Sequence, residues 1–337
     1  MWRTLLATGL LACWTSANGW GQPLVLPTVN RSLLDTDGGR ERYYVETSGS
    51  TWEKGQYGCV RSGGNQIHEG IDIRPLHRDA RGEATDAVYC VADSTVVYRN
   101  DRPGRSTFGT YLVLQHQVDS LEVYSLYAHL SSINPEVVPG LKLSAGEIVG
   151  IMGRTTNISP RIPKNRAHLH FEFALLVNDR YARWHRKTFP KSKNDHGIWN
   201  GGNLVGLDPS VLLRESASSP ATFNLLEYVR HQQELFRVQV RDTNFSWIKR
   251  YVRLVLRNPQ ADQNGVAAYE IAFDFNGLPF QLVPRSPQEV DSTQKIKLLS
   301  VNEEQQRLRG CRHWIAKKQG AWTLTAKGRQ WIEQLTF

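Results

Sequence analysis

Long hydrophobic runs are missing from this chain of 337 residues. The only apolar run near the start, residues 4–14, is too short to cross a bilayer unaided. Together with a hydrophobic content of 40% and a mean hydropathy of −0.44, this absence argues against a transmembrane span and indicates a soluble globular protein. By length alone, we expect two domains of about 150 residues each.

The start of the chain has the features of a secretory signal peptide. Arg3 precedes the apolar run, and small residues follow it at positions 16–19. We therefore predict a signal peptide over residues 1–19 and an exported protein, periplasmic or extracellular in the cell envelope. A bacterial lipoprotein signal, with a lipid anchor at Cys13, is the less favoured alternative because the lead is short and bulky Trp14 follows.

Cysteine is scarce, with four residues in the chain. After removal of a signal peptide three remain, and an oxidising compartment permits a disulfide. Cys59 and Cys90 flank the same sequence motif and are the pair we predict to be bridged. Such a bridge would stabilise the fold by roughly 3 kcal/mol and would leave Cys311 as the odd thiol. The alternative is three buried cysteines that act as small hydrophobic residues.

Acidic residues are outnumbered by basic ones, 32 to 41, which gives a net charge of +9 and a pI near 9.4. A positive surface favours polyanionic partners. Nucleic acid does not suit an exported chain, so anionic envelope polymers are the better candidates. A basic surface that serves solubility alone is the competing interpretation.

The middle of the chain contains no long amphipathic helix. Short runs rich in Val, Ile, Leu and Tyr, separated by Gly and Asp clusters, predict strands at 71–73, 87–91, 95–98, 111–115, 121–126 and 169–177. We therefore expect a mainly β fold, an antiparallel β-sandwich or open barrel, over residues 57–214. Residues 20–56 read as a loose lead segment with one strand at 43–47.

The last third of the chain has a different pattern. A run of small residues at 216–220 predicts a linker. Beyond it, residues 223–235 have the spacing of a helix, and Asn276-Gly277 between two apolar runs predicts a hairpin over 269–283. Residues 221–337 are thus predicted to form an α+β accessory domain, whose role the sequence does not state.

Five side chains in strand-like sequence carry the chemical signal: His68, Asp72, His129, His168 and His170. Imidazole and carboxylate are ligands that Zn²⁺ accepts without thiolate, and three protein ligands with one open position make a catalytic site. The last two histidines are two apart, so they face one side of a strand. Spacing alone does not decide which of them binds a metal. The other histidines match no motif: His77, His116, His185, His196, His231 and His313.

The order of these motifs resembles the lysostaphin/LytM-type zinc endopeptidases. The matching segments are HEGID at 68–72, ADSTV at 92–96, YAHL at 127–130, VPGLKLSAGEIVGIMG at 138–153 and HLHFE at 168–172. The resemblance implies one Zn²⁺ per chain with His68, Asp72 and His170 as metal ligands. It also implies His129 and His168 as the catalytic pair, with His168 as general base and His129 orienting water or stabilising the oxyanion.

The same resemblance implies an exported zinc metalloendopeptidase that hydrolyses peptide bonds of bacterial peptidoglycan, in the stem peptide or the cross-bridge. Two alternatives remain open. One is a non-catalytic protein of this fold that activates a wall amidase, and the retention of all five residues argues against it. The other is a secreted protease that acts on protein substrates.

Two basic segments adjoin the strand with the paired histidines. The loop 154–166 precedes it, and the insert 178–203 follows it, with basic residues interleaved among aromatic ones. We expect both segments to form walls of a substrate cleft. Replacing Arg183, Arg186 and Lys187 in the insert would then weaken binding of wall peptides.

Overall fold

The computed structural model describes residues 24–46, 51–290 and 293–337. The predicted signal peptide over residues 1–19 and the alternative lipid anchor at Cys13 lie outside these residues. No helix among the described residues is long and apolar enough to cross a membrane.

The first two thirds of the described chain are mostly short strands with three helices. The strands are β1 (Gly58–Arg61), β2 (Gln66–His68), β3 (Ile71–Ile73), β4 (Ala87–Tyr89), β5 (Ser94–Asn100), β6 (Tyr111–Val118), β7 (Leu121–Ala128), β8 (Ser132–Ile133), β9 (Lys142–Leu143), β10 (Ile148–Ile151), β11 (Leu169–Leu176) and β12 (Leu204–Leu207). The helices are α1 (Gly39–Tyr43), α2 (Tyr181–Thr188) and α3 (Pro209–Ser218). All six strands predicted from the sequence are present, with ends that differ by a few residues.

One large antiparallel sheet positions the candidate site. Its strand order is β12-β11-β7-β6-β5-β9, and β3 pairs with the first half of β11. A smaller sheet, β4-β10-β8, and the hairpin β1-β2 complete this part of the fold. The strands are antiparallel and no sheet in the described part of the chain closes into a barrel, so the predicted mainly β, sandwich-like class is confirmed.

Both faces of the large sheet are covered, which explains why its strands read as nearly continuous apolar runs. One face contributes to the main core, where Ile71, Phe171 and Phe173 are almost fully buried. On the other face, a second cluster around Tyr111 and Leu126 packs against aromatic and aliphatic residues of the insert, among them Trp199. The insert is therefore folded onto the sheet, and half of its basic residues lie on α2 rather than in a loop.

The C-terminal third is an α+β unit, as predicted. Its helices are α4 (Leu225–Arg230), α5 (Ser246–Arg250), α6 (Pro259–Asn264), α7 (Glu303–Arg309) and α8 (Ala326–Thr336). Its strands are β13 (Phe236–Val240), β14 (Ala268–Phe273), β15 (Pro279–Arg285), β16 (Ile296–Val301), β17 (Ile315–Lys318) and β18 (Ala321–Leu324). Four of them form the antiparallel sheet β15-β14-β13-β16. The predicted hairpin is β14-β15, and Gly277 in its turn has a φ of +89°, which glycine adopts without steric cost.

The β-rich first part of the chain and the C-terminal unit share one continuous hydrophobic core. The backbone N–H of Leu176 in β11 donates to the Tyr251 hydroxyl at 2.8 Å, and the Arg250 guanidinium meets Glu122 at 2.5 Å. Because the C-terminal unit packs directly on the large sheet, its side chains can reach the edge of the candidate site.

The predicted pairing of cysteines is wrong. Cys59 in β1 is bonded to Cys311, 252 residues later, and Cys90 is a free, buried thiol. The Cys90 Sγ lies inside the core, where it donates to the Ala92 carbonyl at 2.8 Å. Cys59 instead lies on the hairpin that faces the C-terminal unit, so the bridge joins the β-rich first part of the chain to the C-terminal unit.

Three local predictions also fail for tertiary reasons. The run 216–220 is not a free linker, because α3 continues to Ser218 and the Ser216 hydroxyl accepts a hydrogen bond from the Leu24 N–H at 2.7 Å. The helix predicted over 223–235 is shortened to α4, since the chain then joins β13. The lead segment is not loose, because Tyr43 and Tyr44 are buried. Of the strand predicted at 43–47, Tyr43 ends α1, Tyr44 pairs with Ile73 in an antiparallel bridge, and residue 47 lies outside the described residues.

Candidate metal centre

The register of β11 brings the candidate residues together. His170 in β11 lies directly opposite Asp72 in β3 on one side and Ala128 in β7 on the other. His129 follows Ala128 immediately, and His168 is two residues before His170 on the same strand face. A single row across three neighbouring strands thus gathers residues that are up to about a hundred positions apart.

His68, Asp72 and His170 form a compact group whose ligand atoms all lie within 4.8 Å of one another. The Asp72 Oδ1 is 3.1 Å from the His68 Nε2 and 3.0 Å from the His170 Nδ1. The three side chains are buried, with 3–7% of each residue exposed. Within the described residues, no other group of three His, Cys, Asp or Glu side chains is close enough to hold a metal ion.

Each histidine of the site has its other ring nitrogen fixed by an acceptor. The His68 Nδ1 donates to the Gln56 carbonyl at 2.7 Å, and the His170 Nε2 lies 2.8 Å from the Glu172 Oε1. A carbonyl oxygen only accepts, so His68 carries a proton on Nδ1, and its Nε2 lies 3.0 Å from the Arg61 guanidinium and 3.1 Å from the Asp72 Oδ1. Such outer contacts orient imidazole ligands and raise their basicity.

Glycine is required at the turn between the first two candidate ligands. A Cβ atom on Gly70 would lie 2.3 Å from the Phe171 carbonyl oxygen, too close for any side chain. The glycine lets the turn approach β11 until Asp72 meets His170. The His-Glu-Gly-Ile-Asp spacing is thus explained by close contact of backbones as well as by ligand chemistry.

His129 and His168 lie beside the metal-binding group, with ring centroids 4.8 Å apart. The His168 Nδ1 donates to the Arg166 carbonyl at 2.7 Å, and its Nε2 is 3.6 Å from the Asp72 Oδ1. The His129 Nδ1 donates to the Thr155 carbonyl at 2.8 Å. In both rings the Nε2 is consequently the free nitrogen, and in the neutral ring it is a proton acceptor.

The pKa shifts of His129 and His168 differ from those of His170 and Asp72. Burial lowers the pKa of His168 and of His129, and neighbouring histidines lower that of His129 further. Burial also acts to lower the pKa of His170, but hydrogen bonds with Asp72 and Glu172 outweigh it and raise that pKa to about 10. Burial acts to raise the pKa of Asp72, and the adjacent His68 and His168 hold it well below its usual range.

The pKa shifts therefore favour a proton on His170, hydrogen-bonded to Asp72 and Glu172, and work against protonation of His129 and His168. The donor set of two imidazoles and a carboxylate, with their outer contacts in place, fits Zn²⁺. The structure brings all five predicted residues together. Their division into ligands and catalysts remains a prediction.

Two residues of the site escaped the sequence analysis. Glu172 supplies the carboxylate that accepts from His170. It is two residues after His170 on the same strand, so the sequence could have predicted that both side chains lie on one face. Arg61 in β1 extends its guanidinium to 2.5 Å from the Asp72 Oδ2 and 3.0 Å from the His68 Nε2. No motif contains Arg61, and it reaches the site only through the pairing of β1 with β2.

The candidate ligands and catalysts line a cavity of about 820 Å³, which we name the metal cavity. Arg61, Arg161 and Arg166 line it as well, together with apolar residues of the loop 154–166 such as Ile158 and Ile162. This loop forms a wall of the cavity, as expected.

The insert 178–203 is placed differently from our expectation. Arg183 and Lys187 on α2 lie 5.9 and 5.8 Å from the centroid of the Phe337 ring. Neither residue lines the metal cavity or a second cavity next to it, which contains Phe108 and His196 in its wall. Arg186 is exposed on the same helix. The expected weakening of wall-peptide binding on replacing these three residues therefore has no structural basis. The later part of the insert, near His196, borders the site instead.

Comparison with known proteins identifies the part of the chain that holds the site. Residues 66–182 match the model of peptidase family M23. The chain contains a peptidase M23 domain. The resemblance to the lysostaphin/LytM-type family is thereby confirmed, and the match spans all five candidate residues.

Several solved structures are similar to this chain at low identity. A zinc-containing peptidase from Vibrio cholerae is 19% identical over 45% of this chain and 33% of its own, with a TM-score of 0.24. The catalytic domain of lysostaphin from Staphylococcus simulans is 20% identical over 48% and 87%, with a TM-score of 0.29. The catalytic domain of EnpA from Enterococcus faecalis is 22% identical over 39% and 79%, with a TM-score of 0.27.

This chain thus spans a third of the length of the Vibrio cholerae peptidase. No curated protein matches it. Function is therefore inferred from the family match and from the geometry of the site.

Proposed function

We propose that this protein is an exported, zinc-dependent endopeptidase that hydrolyses peptide bonds of bacterial peptidoglycan. The observation that carries the proposal is the convergence of His68, Asp72 and His170, with His129 and His168 beside them, inside a peptidase M23 domain. His68, Asp72 and His170 would hold one Zn²⁺. When bound, zinc supplies a Lewis acid and makes water nucleophilic at neutral pH.

His168 is the proposed general base. Its Nδ1–H is held by the Arg166 carbonyl, so the Nε2 lone pair faces the metal-binding group. Burial lowers its pKa, which keeps it neutral and able to accept a proton at pH 7. His168 would take a proton from the attacking water and pass it to the leaving amine.

For His129 the hydrogen bond supports one of the two roles left open by the sequence. With the proton on Nδ1 and the pKa well below its usual value, the neutral ring offers only an acceptor at Nε2. An acceptor orients the water by its O–H bond, whereas an oxyanion needs a donor. We therefore assign His129 to orient the water.

Wall peptides suit the charge of the metal cavity. Three arginines line it, and its acidic side chains are Glu69 and Asp72, the latter a proposed ligand. Cationic walls favour substrates with free carboxylates, such as stem peptides, and their contacts weaken as salt screens them. The predicted signal peptide would bring the enzyme to the compartment of this substrate.

Digestion of purified murein by the full chain tests the proposal. We expect release of soluble fragments with new amino groups, inhibition by a zinc chelator, and restoration by added Zn²⁺. The His168→Ala variant is the matched control, since it should be inactive yet folded. Absence of new amino groups from any wall preparation would refute the proposal.

The same assay separates the two alternatives. Cleavage of casein with intact murein would indicate a protease acting on proteins. No cleavage by the chain itself, combined with faster glycan–peptide separation when a wall amidase is added, would indicate an amidase activator.

A further inference from the structure

A second cavity of about 480 Å³ lies beside the metal cavity, and we name it the side cavity. Glu69, the neighbour of His68, lines both. Glu172 lines the side cavity and holds the Nε2 of His170 on the metal side. The Phe108 ring lies on its wall, 5.6 Å from the His170 ring. The two cavities are therefore neighbours, with Glu69 lining both and with His170 next to residues that line the side cavity.

The C-terminal unit supplies part of the side cavity, through Arg312 and Trp331. The Arg312 Nη1 lies 3.2 Å from the Glu69 Oε1, and its Nε and Nη2 donate to the Asn276 side-chain oxygen at 3.0 and 2.8 Å. This arginine thus connects the turn that follows His68 to the β14-β15 hairpin. It is fixed in place from two directions.

Trp331 is held just as firmly. Its indole N–H donates to the Gly277 carbonyl at 2.8 Å, and the ring stacks on Trp314 with centroids 5.5 Å apart. A Cβ atom on Gly277 would lie 2.8 Å from the Trp331 Nε1, so glycine is needed for this contact. The ring is only partly buried, and its remaining surface is a pre-ordered platform on the cavity wall.

The disulfide fastens this wall to the peptidase domain. Cys311 directly precedes Arg312, and its partner Cys59 lies on β1 two residues before Arg61. Covalent attachment at this point limits how far Arg312 can move from Glu69. A C-terminal unit that served only as a separate binding module would not need a fixed position at the edge of the cleft.

The two cavities differ in charge. The metal cavity is mainly cationic, whereas the side cavity has Arg105 and Lys193 together with Asp195 and aromatic surface from Phe108 and Trp331. Arg105 is exposed at the cavity rim. Groups of both signs around apolar surface suit a peptide segment that carries a carboxylate and an amine.

We propose that the side cavity is a substrate subsite that binds a zwitterionic peptide segment on one side of the scissile bond, and that the C-terminal unit contributes Trp331 and Arg312 to its wall. This inference rests on the proposed peptidase function and extends it, since it gives the C-terminal unit a role in specificity. Trp331 packs on the segment, and Arg312 positions Glu69 and its turn beside it. Aromatic and arginine side chains of this kind dominate binding at buried contacts.

Steady-state kinetics on soluble cross-linked wall peptides test the proposal with the full-length chain. Trp331→Ala should raise KM about 10-fold, with kcat changed less than about twofold and zinc content unchanged. Arg312→Gln should act in the same direction. Trp331→Phe, which keeps an aromatic ring against Trp314, should give an intermediate KM and shows that the fold survives.

Trp322→Ala is the matched control, because that indole lies in the same unit but bonds to Glu303 and lines neither cavity. Its KM should equal that of the wild type. Equal KM values for the wild type and both Trp331 variants would overturn the proposal. So would a fall in kcat at constant KM, which indicates a structural role alone.

Calorimetric binding of the same peptides to the His168→Ala protein separates this proposal from the peptidase assignment. If the wild type proves inactive but peptide binding still depends on Trp331, the subsite stands and the proposed function fails. If the wild type cleaves murein but Trp331→Ala in the His168→Ala background binds the peptides unchanged, the subsite fails alone.

Discussion

Removal of the Cys59–Cys311 bridge should destabilise the protein more than loss of any single surface contact. The two cysteines are 252 residues apart, so the bridge closes most of the chain in the unfolded state. On the chain-entropy model, a loop of this length contributes about 5.5 kcal/mol. For a chain of 337 residues with an unfolding entropy of about 0.7 kcal/mol/K, this corresponds to a fall in Tm of about 8 °C.

Thermal unfolding of the Cys59→Ser/Cys311→Ser double variant, followed by circular dichroism without reductant, measures this effect. Reductant should lower the Tm of the wild type by a similar amount and leave the double variant unchanged. Cys90→Ser serves as the control, because it keeps the bridge and should remain sensitive to reductant. A peptide map that links Cys59 to Cys90, or a wild-type Tm that does not change with reductant, would refute the Cys59–Cys311 pairing and the docking of the C-terminal unit.

Three further outcomes follow from the site and its surroundings. His129→Ala and His168→Ala should each retain zinc and lose roughly 10²–10⁴-fold in kcat on murein; loss of the metal would show that they are ligands. Gly70→Ala should weaken zinc affinity by about 10–100-fold, because its Cβ would displace the turn from Phe171, and a zinc titration measures it. Burial raises the pKa of Asp274 to about 7, so the fold favours its protonated form and loses stability as pH rises from about 4 through 7. The advantage of Asp274→Asn over the wild type in free energy of unfolding should therefore grow by roughly 3 kcal/mol between pH 5 and 8, and an unchanged difference in denaturant melts would contradict it.

The sequence predicted those features that are encoded locally. Ile71–Ile73 and Leu169–Leu176 alternate or stay apolar as buried strands do, and the structure has strands at both places. The hairpin at Asn276-Gly277 was predicted by its turn chemistry alone. The five candidate residues were found because they lie in short motifs that resemble those of a known family, and the two-residue spacing of His168 and His170 predicted that both lie on one strand face.

Features that depend on distant parts of the chain were missed. Cys311 pairs with Cys59 because the C-terminal unit docks on β1, and no local pattern reports that contact. Arg61 reaches Asp72 through a hairpin register, and Arg312 reaches Glu69 across the same docking surface. The run at 216–220 looked like a linker by composition, yet tertiary contacts such as that of Ser216 hold it in a helix.

The zinc content of the purified chain and of its five single alanine variants tests the central claim most directly. We expect one zinc per chain in the wild type, His129→Ala and His168→Ala proteins, and none in His68→Ala, Asp72→Ala or His170→Ala, because only the latter three lose an atom of the metal-binding group. A wild type that neither contains zinc nor takes it up on addition would contradict the account, as would a full complement of zinc in His170→Ala.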